Sequence, residues 1–139
     1  MDKIQKPVGV WLDFREALIV YLDEGKVSSS RLDSGIDESH PVGGSGTSTP
    51  YSAQEAVSET KYLHRRQQQE KLYYQSIIEK LNSRDAVYIL GPAQAKTGLE
   101  QEMKKQLKLG QKIKAVQSCD RITDNQICAK VRDFFLNEN

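Results

Sequence analysis

Residues 91–97, GPAQAKT, set a lysine and a threonine just beyond a glycine-proline turn, a composition that raises phosphate binding first. The phosphate loop of nucleoside-triphosphatases needs a glycine directly before its lysine, so that backbone N–H groups converge on the phosphates. Here Ala95 precedes Lys96, the spacing falls one residue short and Pro92 removes a donor, so nucleotide hydrolysis is set aside. Carboxylates come next. A two-metal nuclease gathers several of them from different elements. Asp13 ends an apolar run, and Glu55 or Glu59 would come from a helix, but the run that should deliver the next carboxylate ends at Leu90-Gly91-Pro92. A single aspartate at a strand end is more often a turn residue. His40 and His64 are the only histidines, too few for a well-supported catalytic triad. Cys119 and Cys128 have no nearby His or Cys to complete a zinc set, and read as small buried apolar residues. No metal and no cofactor is expected.

Positive charge is the stronger signal. Formal net charge is only +1, from 20 basic and 19 acidic residues, so affinity for nucleic acid depends on where the charges sit. Residues 103–118 hold five lysines, Lys104, Lys105, Lys108, Lys112 and Lys114, with no acidic residue among them. On one helix, positions 104, 105 and 108 share a face. A second group, Lys61, His64, Arg65, Arg66 and Lys71, is opposed only by Glu70. Such groups track phosphates with salt-dependent, largely sequence-independent affinity, whereas the plainer reading makes each a solvated surface. Tyr62, Tyr73 and Tyr74 offer rings for base stacking, although Tyr73 reads as core and the other two as surface cover. Trp11, Phe134 and Phe135 are assigned to packing.

The elements that position these groups follow from periodicity. Val8, Val10 and Leu12 alternate with Gly9 and Trp11 as in a strand, and a second apolar run at 17–22 follows closely enough to make a hairpin. Asp23-Glu24-Gly25 signals a turn into a third strand at 26–32, whose serines 28, 29 and 30 suit an exposed edge. Residues 33–51 are rich in glycine, serine and threonine, and a mobile loop is expected there. Ser52 and Glu55 form a capping box opening a helix to about Asn82, with Leu72, Tyr73, Ile77, Ile78 and Leu81 as its apolar stripe. Residues 61–71 of that helix are polar around the circumference, which predicts projection into solvent. A buried strand at 86–90 precedes a second helix, opened at Gly98 by Thr97 and Glu100 or else at Ala93 behind Pro92, and ended by Gly110. A short strand at 113–116 leads to a last helix, which Thr123 and Gln126 cap and which repeats Ile127, Cys128, Val131, Phe134 and Phe135 at helical spacing. The order β-β-β-α-β-α-β-α implies an α/β domain with a mixed sheet and helices over its faces, one domain spanning 1–139. No apolar run approaches the roughly 20 residues needed to cross a bilayer, and no secretory signal opens the chain, so a cytoplasmic location without a membrane partner is expected.

Within that order, Leu63-His64-Arg65-Arg66 on the long helix, Ile89-Leu90-Gly91-Pro92 at the strand end and Lys96-Thr97-Gly98-Leu99 beyond it carry a resemblance. Over about residues 7–136 the chain resembles the ribonuclease-H-like middle domain of eukaryotic and archaeal class-one peptide-chain release factors and of Pelota, and it is similar also to compact bacterial relatives of that domain. The resemblance implies a ribonuclease-H-like mixed sheet and a ribosome or tRNA partner. RNA rather than DNA would then meet Lys61, His64, Arg65, Arg66, Lys96, Lys104, Lys105, Lys108 and Lys112. Release factors carry Gly-Gly-Gln in the loop before the long helix, where it promotes peptidyl-tRNA hydrolysis. Here that loop reads Gly43-Gly44-Ser45, so it remains a candidate functional loop while the hydrolytic role is not transferred, and Pelota-like relatives lack the glutamine as well. A non-enzymatic translation-related RNA binder is therefore expected. A protein-interaction module or homodimer built on the serine-rich edge strand, with no RNA role, is the competing class.

Overall fold

Glu24 and Gly25 both have positive φ, 52° and 84°. Two left-handed residues in succession are what a two-residue hairpin turn needs to match the twist of its strands, and glycine takes that conformation without a steric penalty. The turn joins β2 (Glu16–Asp23) to β3 (Lys26–Asp33), which pair antiparallel along their whole length. The computed structural model describes residues 6–36 and 53–138. Gly43, Gly44 and Ser45, the rest of the segment at 37–52 and the proposed cap at Ser52 lie outside the described residues.

β1 (Pro7–Leu12) pairs antiparallel with β2 on one side and parallel with β4 (Ala86–Gly91) on the other, and β5 (Ile113–Ser118) extends the sheet parallel to β4. The strand order is β3-β2-β1-β4-β5. Four helices complete the domain: α1 (Ala53–Leu81), α2 (Gln94–Lys104), the single turn α3 (Leu107–Gly110) and α4 (Asp124–Glu138). This is the expected α/β architecture, a five-stranded mixed sheet consistent with the ribonuclease-H-like fold.

Side chains alternate across the pleat, so each central strand feeds two cores. Val8, Val10, Leu12, Ile19, Val87 and Ile89 face Tyr73, Ile77 and Leu81 of α1, Leu99 and Met103 of α2, and Leu109 of α3. Trp11, Leu18, Val20, Tyr88 and Leu90 face Ile127, Val131 and Phe135 of α4 on the other side. Both faces of β1 and β4 are thus covered, and every residue of the two strands is buried. The backbones of the two strands converge at their carboxyl ends. A Cβ on Gly91 would stand 2.4 Å from the Leu12 carbonyl oxygen, so only glycine fits.

Three local expectations change. Thr97 and Glu100 do not cap α2, which starts at Gln94 without a side-chain cap. Starting there aligns Ala95, Leu99 and Met103 at intervals of four on the core-facing side, and that burial outweighs a capping box. Gly110 does not end the same helix either: α2 stops at Lys104, Gln106 is extended, and α3 follows. Met103 and Leu109 are both buried, yet six residues of continuous helix would turn them about 120° apart, so the chain must break to bring Leu109 back to the core. On α1, Leu72 is 63% exposed while Tyr74 is buried, the reverse of their expected roles. The last capping box is as expected, with Thr123 Oγ1 accepting from Gln126 N at 3.1 Å and Gln126 Oε1 accepting from Thr123 N at 3.0 Å. Among the described residues no helix is long and apolar enough to cross a membrane.

Candidate nucleic-acid interface

Two contacts fix where α1 lies. The Tyr73 hydroxyl donates to the Asp13 carbonyl at 2.8 Å, at the carboxyl end of β1, and Arg84, just past the helix, donates to the Pro7 carbonyl at 3.2 Å, at the other end of that strand. The second half of α1 therefore runs antiparallel along β1. Its first half continues past the end of the sheet, with Lys61 about 18 Å beyond Tyr73 at 1.5 Å per residue.

On this overhang the basic side chains divide by face. Arg66 turns inward: its Nε bonds Glu70 at 2.8 Å and its guanidinium lies 5.1 Å above the Phe14 ring. It belongs to the joint between α1 and the β1–β2 turn, and only 22% of its side chain is exposed. Lys61, His64, Arg65, Gln68 and Lys71 are exposed on the side opposite the buried Tyr73 and Ile77. Spacings of three and four residues make them one surface. Among the described residues the side chains of Lys61, His64, Arg65 and Lys71 make no hydrogen bond or ion pair.

At the carboxyl end of β1, on the α4 side of the sheet, lies the position where a nuclease would gather carboxylates, and it is filled with guanidinium groups. Asp13 Oδ1 accepts the N–H groups of Arg15 and Glu16 at 2.8 and 2.9 Å, closing the hairpin. Glu16 sits between Arg31, 2.7 Å from its Oε1, and Arg121, 2.5 Å from its Oε2. Arg121 also approaches Asp13 Oδ2 at 3.4 Å and lies 5.0 Å over the Trp11 ring, while Arg31 continues to Asp124. The hydrogen bond from Arg121 and then that from Arg31 hold the Glu16 carboxyl below the usual carboxylate range. Among the described residues no cluster of His, Cys, Asp or Glu is placed to hold a metal ion. Neither arginine was singled out from the sequence, because they reach Glu16 across 15 and 105 residues and no spacing marks them.

The remaining candidates separate further. Lys96 lies at this same end, its Nζ donating to the Ala93 carbonyl at 2.6 Å in the first turn of α2. Lys104, Lys105, Lys108 and Lys112 lie at the opposite end of the sheet. Lys104 pairs with Glu100 at 2.8 Å and Lys105 with Glu102 at 2.9 Å, and Lys112 donates to the Asn82 carbonyl at 2.7 Å. Lys108 is exposed on α3 and makes no hydrogen bond or ion pair among the described residues. Positions 104, 105 and 108 therefore do not form one helical face. The stacking candidates also narrow. Tyr73 is buried, and burial pushes the Tyr74 hydroxyl up to about 12 where its ring covers Gly98.

No protein-family model and no curated protein matches the chain. Solved structures do. Pelota of Archaeoglobus fulgidus superposes on 99% of this chain and 34% of its own, with a TM-score of 0.56 and 12% identity. Thermoplasma acidophilum Pelota covers 90% of this chain and 31% of its own, with a TM-score of 0.52 and 19% identity. An archaeal translation termination factor covers 95% of this chain and 39% of its own, with a TM-score of 0.50 and 10% identity. The chain thus spans about a third of the length of the proteins it resembles. At such identities the likeness is one of fold, consistent with the middle-domain architecture expected from the sequence.

Proposed function

We propose that this chain is a non-enzymatic, cytoplasmic, translation-related domain that binds ribosomal RNA or tRNA through the outer face of α1. The observation that carries the reading is the set of unpaired cations, Lys61, Arg65 and Lys71, with His64 beside them, on a helix that overhangs the sheet. A cationic face held clear of the domain body reaches phosphates without a clash, and its charges need no internal pair broken first. Lys96, whose amine is held only by a carbonyl at the same end, supports the same contact. Fold likeness to a translation termination factor supports a ribosome-linked setting.

Co-sedimentation with ribosomes at low and high salt tests the proposal. Binding should fall steeply as salt rises. The K61E/R65E variant should weaken it and lower the slope of log K against log salt by about 1.4 to 1.8, since each lost phosphate contact removes about 0.7 to 0.9. A protein that ignores ribosomes at both salt concentrations, or a variant that binds unchanged, overturns the reading. In the first case a stable dimer in light scattering would favour the interaction module.

A further inference from the structure

We propose that the domain engages two phosphate-bearing RNA segments at once, one at each end of α1, and holds them apart as a rigid spacer. The proposal rests on the RNA reading of the α1 overhang and adds a second, separate site. Asn82 directly follows α1, and its carbonyl accepts from Lys112 at 2.7 Å, so the lysines of the α2–α3 end are tied to the far end of the same helix. Between Lys61 and Asn82, 21 residues of chain rise about 30 Å. That exceeds three Debye lengths at physiological salt, about 8 Å each, so the two groups act on their surroundings independently.

The surface between them does not join them. Along the outer side of α1, Gln68, Leu72, Gln75 and Ser76 are exposed and uncharged, and Glu79 interrupts the row toward its end. One continuous phosphate run from Arg65 to Asn82 would cross about 25 Å of helix, meeting Lys71 and then no exposed cation before Lys80 in the last turn, whereas two runs each meet a cluster. At the far end Lys108 and Lys114 are exposed and unpaired among the described residues. The pairs of Lys104 with Glu100 and Lys105 with Glu102 are on the surface, where such pairs contribute only tenths of a kcal/mol, and phosphate can displace them.

The test uses the intact chain and two 12-nucleotide uridine oligoribonucleotides, one with a donor dye and one with an acceptor, at low salt. The wild-type protein should bring them together, giving sensitised emission and a complex of one protein with two RNAs by native mass spectrometry. K61E/R65E and K104E/K105E/K108E should each abolish the emission, and each should reduce the complex to one RNA per protein. The triple variant should lower the salt slope by about 2, at about 0.7 per single-strand contact. Because charge reversal beside Glu100 and Glu102 can fray α2, the K104Q/K105Q/K108Q variant, checked for unchanged helicity, should show the same loss of one RNA. A wild-type stoichiometry of one, or unchanged emission in the glutamine variant, overturns the second site while leaving the α1 reading intact. No binding by the wild type at all overturns both.

Discussion

Replacing Tyr73 with Phe tests the joint that aims the overhang. The side chain is 2% exposed, and its hydroxyl donates to the Asp13 carbonyl, tying α1 to the end of β1. Phe keeps the ring and opens no cavity, so the loss at pH 7 is that of one buried hydrogen bond, about 1 kcal/mol. That corresponds to about 0.5 M in the urea midpoint at a slope near 2 kcal/mol/M. Burial, with Asp13 nearby, pushes the Tyr73 hydroxyl far above its ordinary range. Above pH 10, where tyrosine ionises in the unfolded chain, the folded state keeps a proton that the unfolded state releases. Wild-type stability must then fall as pH rises, by about 1.4 kcal/mol through this group at pH 11. The variant lacks that loss. The two proteins should reach equal stability near about pH 10.6, with the variant about 0.4 kcal/mol more stable at pH 11. Tyr74 and Tyr88 are also raised, but they are present in both proteins and cancel. Urea unfolding followed by circular dichroism at pH 7, 9 and 11 measures the difference. An equal deficit at all three pH values, or no deficit at pH 7, would refute the account of a neutral hydroxyl held at the strand end.

Gly91→Ala should destabilise the domain by about 1 to 3 kcal/mol in thermal or urea unfolding, because the new Cβ would meet backbone that cannot rotate away. Arg121→Ala should lower stability at pH 7. Since Glu16 is held below its ordinary range chiefly by Arg121, its contribution is present at neutral pH and lost as the carboxyl protonates. The gap between wild type and variant should therefore narrow in denaturation below about pH 4. A gap unchanged at pH 3 would assign the effect to stacking over Trp11 instead of charge.

Strands and the last helix were readable because each is decided within a few residues. Alternation from Val8 to Leu12, the Glu24-Gly25 turn and the Thr123-Gln126 pair depend on near neighbours only. Tyr74 is core because with Ile77 and Leu81 it falls at intervals of three and four on the buried side, whereas Leu72 lies opposite Leu81; reading Leu72 as core weighs its apolar type over its position. Gly98 of α2 leaves the room this needs, since a Cβ there would meet the Tyr74 hydroxyl. The lysine group also differs: three charges that the sequence sets on one helical face lie on a helix end, its cap and a separate turn. Charge was legible from the sequence, and its direction was not.

The exposed β3 also bears on self-association. Strands alternate the direction of their backbone groups, so on an outer strand only every second residue offers N–H and C=O to a newcomer. Two copies meeting antiparallel across a two-fold axis must therefore oppose residues of equal parity. Centred on Ser29, that register sets Val27 against Arg31 and Lys26 against Leu32; centred on Ser30, it sets Ser28 against Leu32 and Val27 against Asp33. Either way each aliphatic side chain meets a charge or a hydroxyl, and no salt bridge forms across the seam. The arithmetic of this strand disfavours a mirror of itself, and with it the endless sheet that an open border otherwise invites.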